Sequence, residues 1–134
     1  MRSDKMEAND QDLVINVKRI YERPSKKDGF RILVDRLWPR GLKKSEAGVD
    51  FWLREIAPSA ELRKWFNHDP ERWTEFVSDY NFQLNKKRQI AEQLIALIKE
   101  HKNVSLLYAA QNEACNNAVA LKAFLDKFMK ADHQ

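Results

Sequence analysis

The chain predicts a small single-domain α/β protein with a mainly parallel sheet and helices on its faces. Three observations predict it. Residues 30–37 have a continuous apolar centre, Ile32-Leu33-Val34, and a run apolar on both faces belongs in the middle of a covered sheet. A second such run begins at Asn103, and the segments between the two repeat their apolar residues at helical three- and four-residue spacing. Strands separated by helices imply crossover connections and hence parallel pairing. With 134 residues, 43% of them hydrophobic and four tryptophans among them, there is enough apolar surface for one core.

Each element follows from local pattern. Residues 1–12 are polar and aperiodic and read as a disordered tail. Over residues 13–21, Ile15 and Val17 alternate with Asn16 and Lys18, the signature of a half-buried strand. Residues 22–29 form a turn segment punctuated by Pro24 and Asp28-Gly29. That link is short for a helical crossover, so an antiparallel first pair stays open. The second strand stops at Trp38-Pro39, since proline has no N–H for the ladder.

Phe51, Trp52 and Ile56 read as one face of a short helix ending before Pro58, and Ser59 as the cap of another turn through Trp65-Phe66. Asp69-Pro70 is a helix start, with a side-chain acceptor at the cap and proline at the first helical position. Trp73, Phe76, Val77, Tyr80 and Leu84 then form one stripe, and Ile90, Leu94, Leu97 and Ile98 another. The last helix, over residues 113–129, turns Leu121, Phe124, Leu125 and Phe128 inward, leaving 130–134 as a C-terminal tail.

Composition excludes several function classes. The start of the chain has no apolar core for a signal peptide, and no apolar run approaches the length of a membrane span. One cysteine forms no internal disulfide, so the reading is a soluble cytoplasmic protein without membrane attachment. Three scattered histidines and that cysteine lack metal-ligand spacing. Three glycines leave no Gly-x-Gly-x-x-Gly and no P-loop, and no serine sits in a Gly-x-Ser-x-Gly elbow. No metal or cofactor is expected.

Charge is uneven. Ten cations between Lys18 and Lys44 face three anions, a local balance of +7 within a chain of net +4. A basic third on an acidic remainder points to an anionic partner, against the plainer reading of a solvated basic surface. In open α/β sheets ligands bind outside the carboxyl ends of the strands. That rule selects Arg19, then the Asp35–Gly41 segment, then Tyr108 with the start of the last helix at Asn116 and Asn117. Arg36 and Arg40, on either side of a stiff Trp38-Pro39 turn, suit a carboxylate or phosphate, and a neighbouring helix N-terminus adds donors. Asp35 either orients an arginine, acts as a base or simply pairs with Arg36. His68 is either a proton donor and acceptor or a loop histidine bonded to the backbone around Asp69. Cys115, in the first turn of a helix, is a nucleophile only if a base reaches it, and none is near in sequence.

Residues 30–41, FRILVDRLWPRG, resemble the signature of the family called domain of unknown function 488, in its short YeaO-like branch. Residues 57–66, APSAELRKWF, resemble its middle motif, and Leu106–Ala110 followed by Asn116-Asn117-Ala118 its third. The resemblance runs from about residue 16 to 128 and implies an α/β fold in which the three motifs meet. It assigns no activity. Longer relatives often carry Cys-His-Arg after the third strand; here, by alignment to them, Asn116 stands at their cysteine and Ala118 at their arginine, which counts against thiol chemistry.

Three functions compete. The first is a protein, enzymatic or not, that takes a small anionic ligand on Arg36, Arg40 and the Asn116–Asn117 helix start. The second binds nucleic acid through residues 18–44, although no known reader motif is present. The third is a protein-interaction module using aromatics such as Trp65 or Trp73. Oligomeric state is not written in the sequence.

Overall fold

The computed structural model describes residues 12–132. Strands β1 (Val14–Arg19), β2 (Phe30–Leu33), β3 (Phe51–Trp52) and β4 (Asn103–Tyr108) form one sheet in the order β1-β4-β2-β3. Every pairing in it is parallel. The direction of the first strand is thereby settled: β1 and β2 run the same way and do not touch, because β4 lies between them and pairs with both. The link from β1 to β2 therefore passes over β4 and makes no hairpin. It carries a single 3-10 turn, Lys26–Asp28, and is tied down as it crosses, with Asn103 Nδ2 donating to Lys27 O (3.1 Å) and Ser105 Oγ to Asp28 O (2.7 Å).

Helices follow as α1 (Lys44–Ala47), α2 (Ala60–Phe66), α3 (Trp73–Lys86), α4 (Arg88–His101) and α5 (Asn117–Asp132). Alternation in β2 and β4 sends Ile32, Val34, Val104, Leu106 and Tyr108 to one face, where residues of α2 to α5 bury them. Leu33 and Leu107 go to the other, against Ile20, Ala47 and the half-buried Trp38 and Trp52. One face thus has long helices, and the other is closed by the chain between Trp38 and Trp52 with the single turn α1. Burying each such leucine or isoleucine contributes about 1.5–3 kcal/mol.

Several expectations hold. Ser59 Oγ accepts from Leu62 N (3.1 Å) and caps α2. Asp69 Oδ1 accepts from Glu71 N (3.0 Å), and Pro70 opens the 3-10 turn Pro70–Arg72 that runs into α3.

Others are corrected. Phe51 and Trp52 are not on a helix but form edge strand β3, in register with Ile32 and Leu33; only Arg54–Ile56 makes a 3-10 turn. Adjacent aromatics favour extended backbone, and β2 offers a free edge for them to pair with. The second strand leaves the ladder after Leu33, although Val34 N still donates to Leu107 O (3.1 Å). The last helix begins at Asn117 and not at 113, because Asn112 Oδ1 accepts from Ala114 N (2.8 Å) and Cys115 N (2.9 Å) and holds a turn there. It continues to Asp132. Trp65 and Trp73 are half-buried against the core, so neither is a free docking aromatic. The tail expected at the N-terminus falls, from residue 1 to 11, outside the described residues, as do 133 and 134. Among the described residues no helix is long and apolar enough to cross a membrane.

On the face of the sheet that carries Leu33 and Leu107, under the β1–β2 link, lies a buried charge cluster. Asp28 accepts from Lys18 Nζ with both oxygens (2.9 Å each), from Ser25 N (2.9 Å) and from Arg31 Nη1. Arg31 also donates to Gly48 O (2.8 Å) and Ala47 O (2.9 Å), which pins α1 to β2. Two of the ten cations in the basic stretch are therefore structural.

Candidate functional site

Parallel strands deliver their carboxyl ends to one edge, and the loops after β1, β2 and β4 meet there. They enclose an open cleft of about 1240 Å³. Arg19, Asp35, Arg36, Trp38 and Arg40 line it from the first two loops. His68, Asn116 and Asn117 line it from the end of α2 and the start of α5. Tyr108 does not line it.

The cleft wall is stitched by side chain to backbone bonds. Arg19 Nε donates to Ala109 O (3.3 Å) and Ala110 O (2.9 Å), tying the end of β1 to the end of β4. Its guanidinium carbon lies 4.7 Å from the ring centre of Tyr21, whose hydroxyl donates to Arg40 O (2.7 Å). Trp38 Nε1 donates to Leu42 O (2.6 Å), closing the turn in which Gly41 has φ +76°. Arg36 is half-buried, with Nε 3.4 Å from Pro58 O.

Asp35 is the joint of the site. Its Oδ2 accepts from Ala109 N (3.0 Å) and its Oδ1 from Asn117 Nδ2 (3.1 Å). Asn117 Nδ2 also donates to Val34 O (3.0 Å), and Trp52 Nε1 to Asp35 O (2.7 Å). One residue thus fixes the end of β2 to β3, β4 and α5. Burial pushes its carboxyl above the usual range, against the pull of Asn117, Ala109 N and the Arg63 charge. No arginine lies within ion-pair distance of it among the described residues, so the Asp35–Arg36 pair is not formed. Both oxygens are occupied, which suits a positioning residue better than a base.

The two asparagines are also engaged. Asn116 is buried; its Oδ1 accepts from Val119 N (2.9 Å) as the cap of α5, and its Nδ2 donates to Asn112 O (3.0 Å). Tyr108 is buried; burial first, then the charges of Glu113 and Glu22, push its hydroxyl above the ordinary value, against the pull of Arg19 and Asn116. What the start of α5 leaves for a ligand is its first backbone N–H groups and the helix dipole.

His68 is exposed, with φ +56°, and its imidazole bonds no described residue. The cap is made by Asp69 alone, which corrects the reading that ties His68 to the backbone there. Cys115 is half-buried on the cleft wall. Among the described residues no group of three His, Cys, Asp or Glu side chains is arranged to hold a metal.

Sequence reasoning missed Arg63 and Tyr21, both on the cleft wall. Arg63 stands in the second of the three motifs, at residues 57–66, so the signal was present without the geometry to read it. Tyr21 ends the first strand pattern, where the strand-end rule points, but its residue type gave no reason to single it out beside Arg19.

Residues 14–134 match the family described as the inactive DUF488-N3 subclade. The uncharacterized protein YeaO of Escherichia coli K12 is 40% identical over 111 residues, which cover 83% of this chain and 96% of that protein. The uncharacterized protein Rv3073c of Mycobacterium tuberculosis H37Rv is 45% identical over 78 residues, 58% of this chain and 66% of that protein. No solved structure matches. The chain is an α/β protein with a parallel sheet, and it belongs to the DUF488-N3i family.

Proposed function

We propose that the cleft binds a small phosphate- or carboxylate-bearing ligand, and that it recognises this ligand without turning it over. The observation that carries the proposal is a set of four arginines, Arg19, Arg36, Arg40 and Arg63, that line the cleft and form no salt bridge among the described residues. An unpaired guanidinium keeps planar donors for bidentate recognition of an oxyanion. The start of α5 adds orphan N–H groups and a favourable dipole at the same place. Of the groups suited to proton transfer, Asp35 is committed to holding loops together, and Tyr108 is buried away from the cleft lining. A family described as inactive agrees with binding in place of catalysis. The single unpaired cysteine fits a reducing compartment, and the proposal places the protein in the cytoplasm.

Nucleic acid is the weaker reading. Lys18 and Arg31 are spent on Asp28, which interrupts any cationic track along residues 18–44.

Thermal shift tests the proposal. A ligand at about 100-fold its Kd adds about 2.7 kcal/mol of stability, so phosphate, pyrophosphate, sugar phosphates and citrate are screened for a rise of several degrees. The expected result is a rise in the wild type that an Arg36→Ala, Arg40→Ala double variant loses. Equal response of the two proteins to every anion would overturn it.

A further inference from the structure

The cleft is larger and less uniformly polar than an oxyanion needs. Its volume of about 1240 Å³ exceeds the range of roughly 300–1,000 Å³ typical of pockets for small molecules. Two apolar surfaces face solvent on its wall. Leu37 is 61% exposed between Arg36 and Trp38, and Tyr21 is 41% exposed. The Tyr21 ring is not free to swing, since its hydroxyl is held by Arg40 O and the Arg19 guanidinium lies over it. Arg19 is itself fixed by two carbonyls. A rigid π surface costs little side-chain entropy when another ring stacks on it, and the guanidinium beside it adds a second stacking plane.

We infer that the ligand is a free nucleotide, its base against Tyr21 and Leu37 and its phosphate on the arginines; this rests on the anion reading above. The cleft unites in one place the two chemistries a nucleotide presents, a flat apolar ring and an oxyanion. A strand of nucleic acid would require cations continuing beyond the cleft, and the buried Asp28 cluster removes Lys18 and Arg31 from that path. An anion without a ring would leave Tyr21 and Leu37 uncovered.

Calorimetric titration of the full chain with adenosine monophosphate, ribose 5-phosphate and inorganic phosphate tests the inference. Stacking on one aromatic side chain is expected to give the nucleotide about a tenfold advantage over ribose 5-phosphate. Tyr21→Phe keeps the ring but frees it from Arg40 O, so it retains most of that advantage; Tyr21→Ala and, independently, Leu37→Ser reduce it further while leaving ribose 5-phosphate binding in place. Equal affinity of the wild type for the nucleotide and the sugar phosphate overturns the inference and leaves the anion reading standing. Failure of all three probes to bind overturns both. A single-stranded oligoadenylate that binds more than about tenfold tighter than the mononucleotide, with a steep salt dependence, overturns the assignment to a free nucleotide.

Discussion

Asp28→Asn is expected to lower stability by about 3–5 kcal/mol, the cost of leaving buried cations without their partner. For a domain of this size that is a fall of roughly 10–20 °C in Tm. The side chains of Asp28 and Arg31 are nearly inaccessible, at 7% and 5%, and Lys18 is little more open at 17%. Asparagine would turn an amide donor toward at least one of two cationic donors. It would also loosen α1, which is held to β2 through Arg31. The pH dependence carries a distinct signature. Burial raises the Asp28 carboxyl, but hydrogen bonds from Lys18, Ser25 N and Arg31 outweigh it and hold it below its ordinary 3.8. A carboxyl depressed on folding stabilises above its unfolded value and loses that contribution as pH falls through its folded value. Asp35 has the opposite sign: raised on folding, it stabilises below 3.8 and loses that contribution as pH rises through its folded value. The acid limb below 3.8 should therefore flatten in Asp28→Asn, while the Asp35 contribution above 3.8 is unchanged. Chemical denaturation across the acid range measures both. A Tm within two or three degrees of wild type would contradict the role given to the cluster.

Gly29→Ala is the other large effect. Gly29 has φ +67° and ψ −142°, a region that a side chain makes costly. A Cβ there would stand 2.1 Å from Asn103 O and 2.7 Å from Asn103 C, both backbone atoms at the start of β4. Neither can step aside without moving the strand that pairs with both β1 and β2. We expect a loss of about 4 kcal/mol or more. Gly41→Ala supplies the control: φ is +76° but nothing lies within 4 Å of its Cβ, so only the left-handed cost of about 1–2 kcal/mol applies. Equal losses at the two positions would show that the close approach to Asn103 does not matter.

The fold was legible where the signal is local. Ile32-Leu33-Val34 and the run after Asn103 announced buried strands, and Asp69-Pro70 announced a helix. What was not legible depends on partners distant in sequence. Nothing in residues 22–29 says that they pass over a strand 77 residues later, because strand order is decided by tertiary pairing. Phe51-Trp52 is too short to show a period, and only the free edge of β2 makes it a strand. The same limit applies at the site. The rule that ligands sit at strand carboxyl ends located the cleft, and the three motifs meet around it. Their chemistry divided in a way the residue types did not show: Asp35, Asn116 and Asn117 hold the frame, while Arg36, Arg40 and Arg63 face outward from it. Arg31 and Lys18 have the residue type of a basic surface, yet Arg31 is buried and Lys18 half-buried, because both pair with the buried Asp28.

The central claim is that this arginine-lined edge binds an anion, and a titration of inorganic pyrophosphate followed through the backbone amides by NMR tests it most directly. The predicted result is saturable shifts confined to residues 19–21, 35–41, 63–68 and 109–118, with Asp28 and Arg31 on the face of the sheet unmoved. Absence of saturation, or shifts centred on the lysines at 26, 27, 43 and 44, would contradict it.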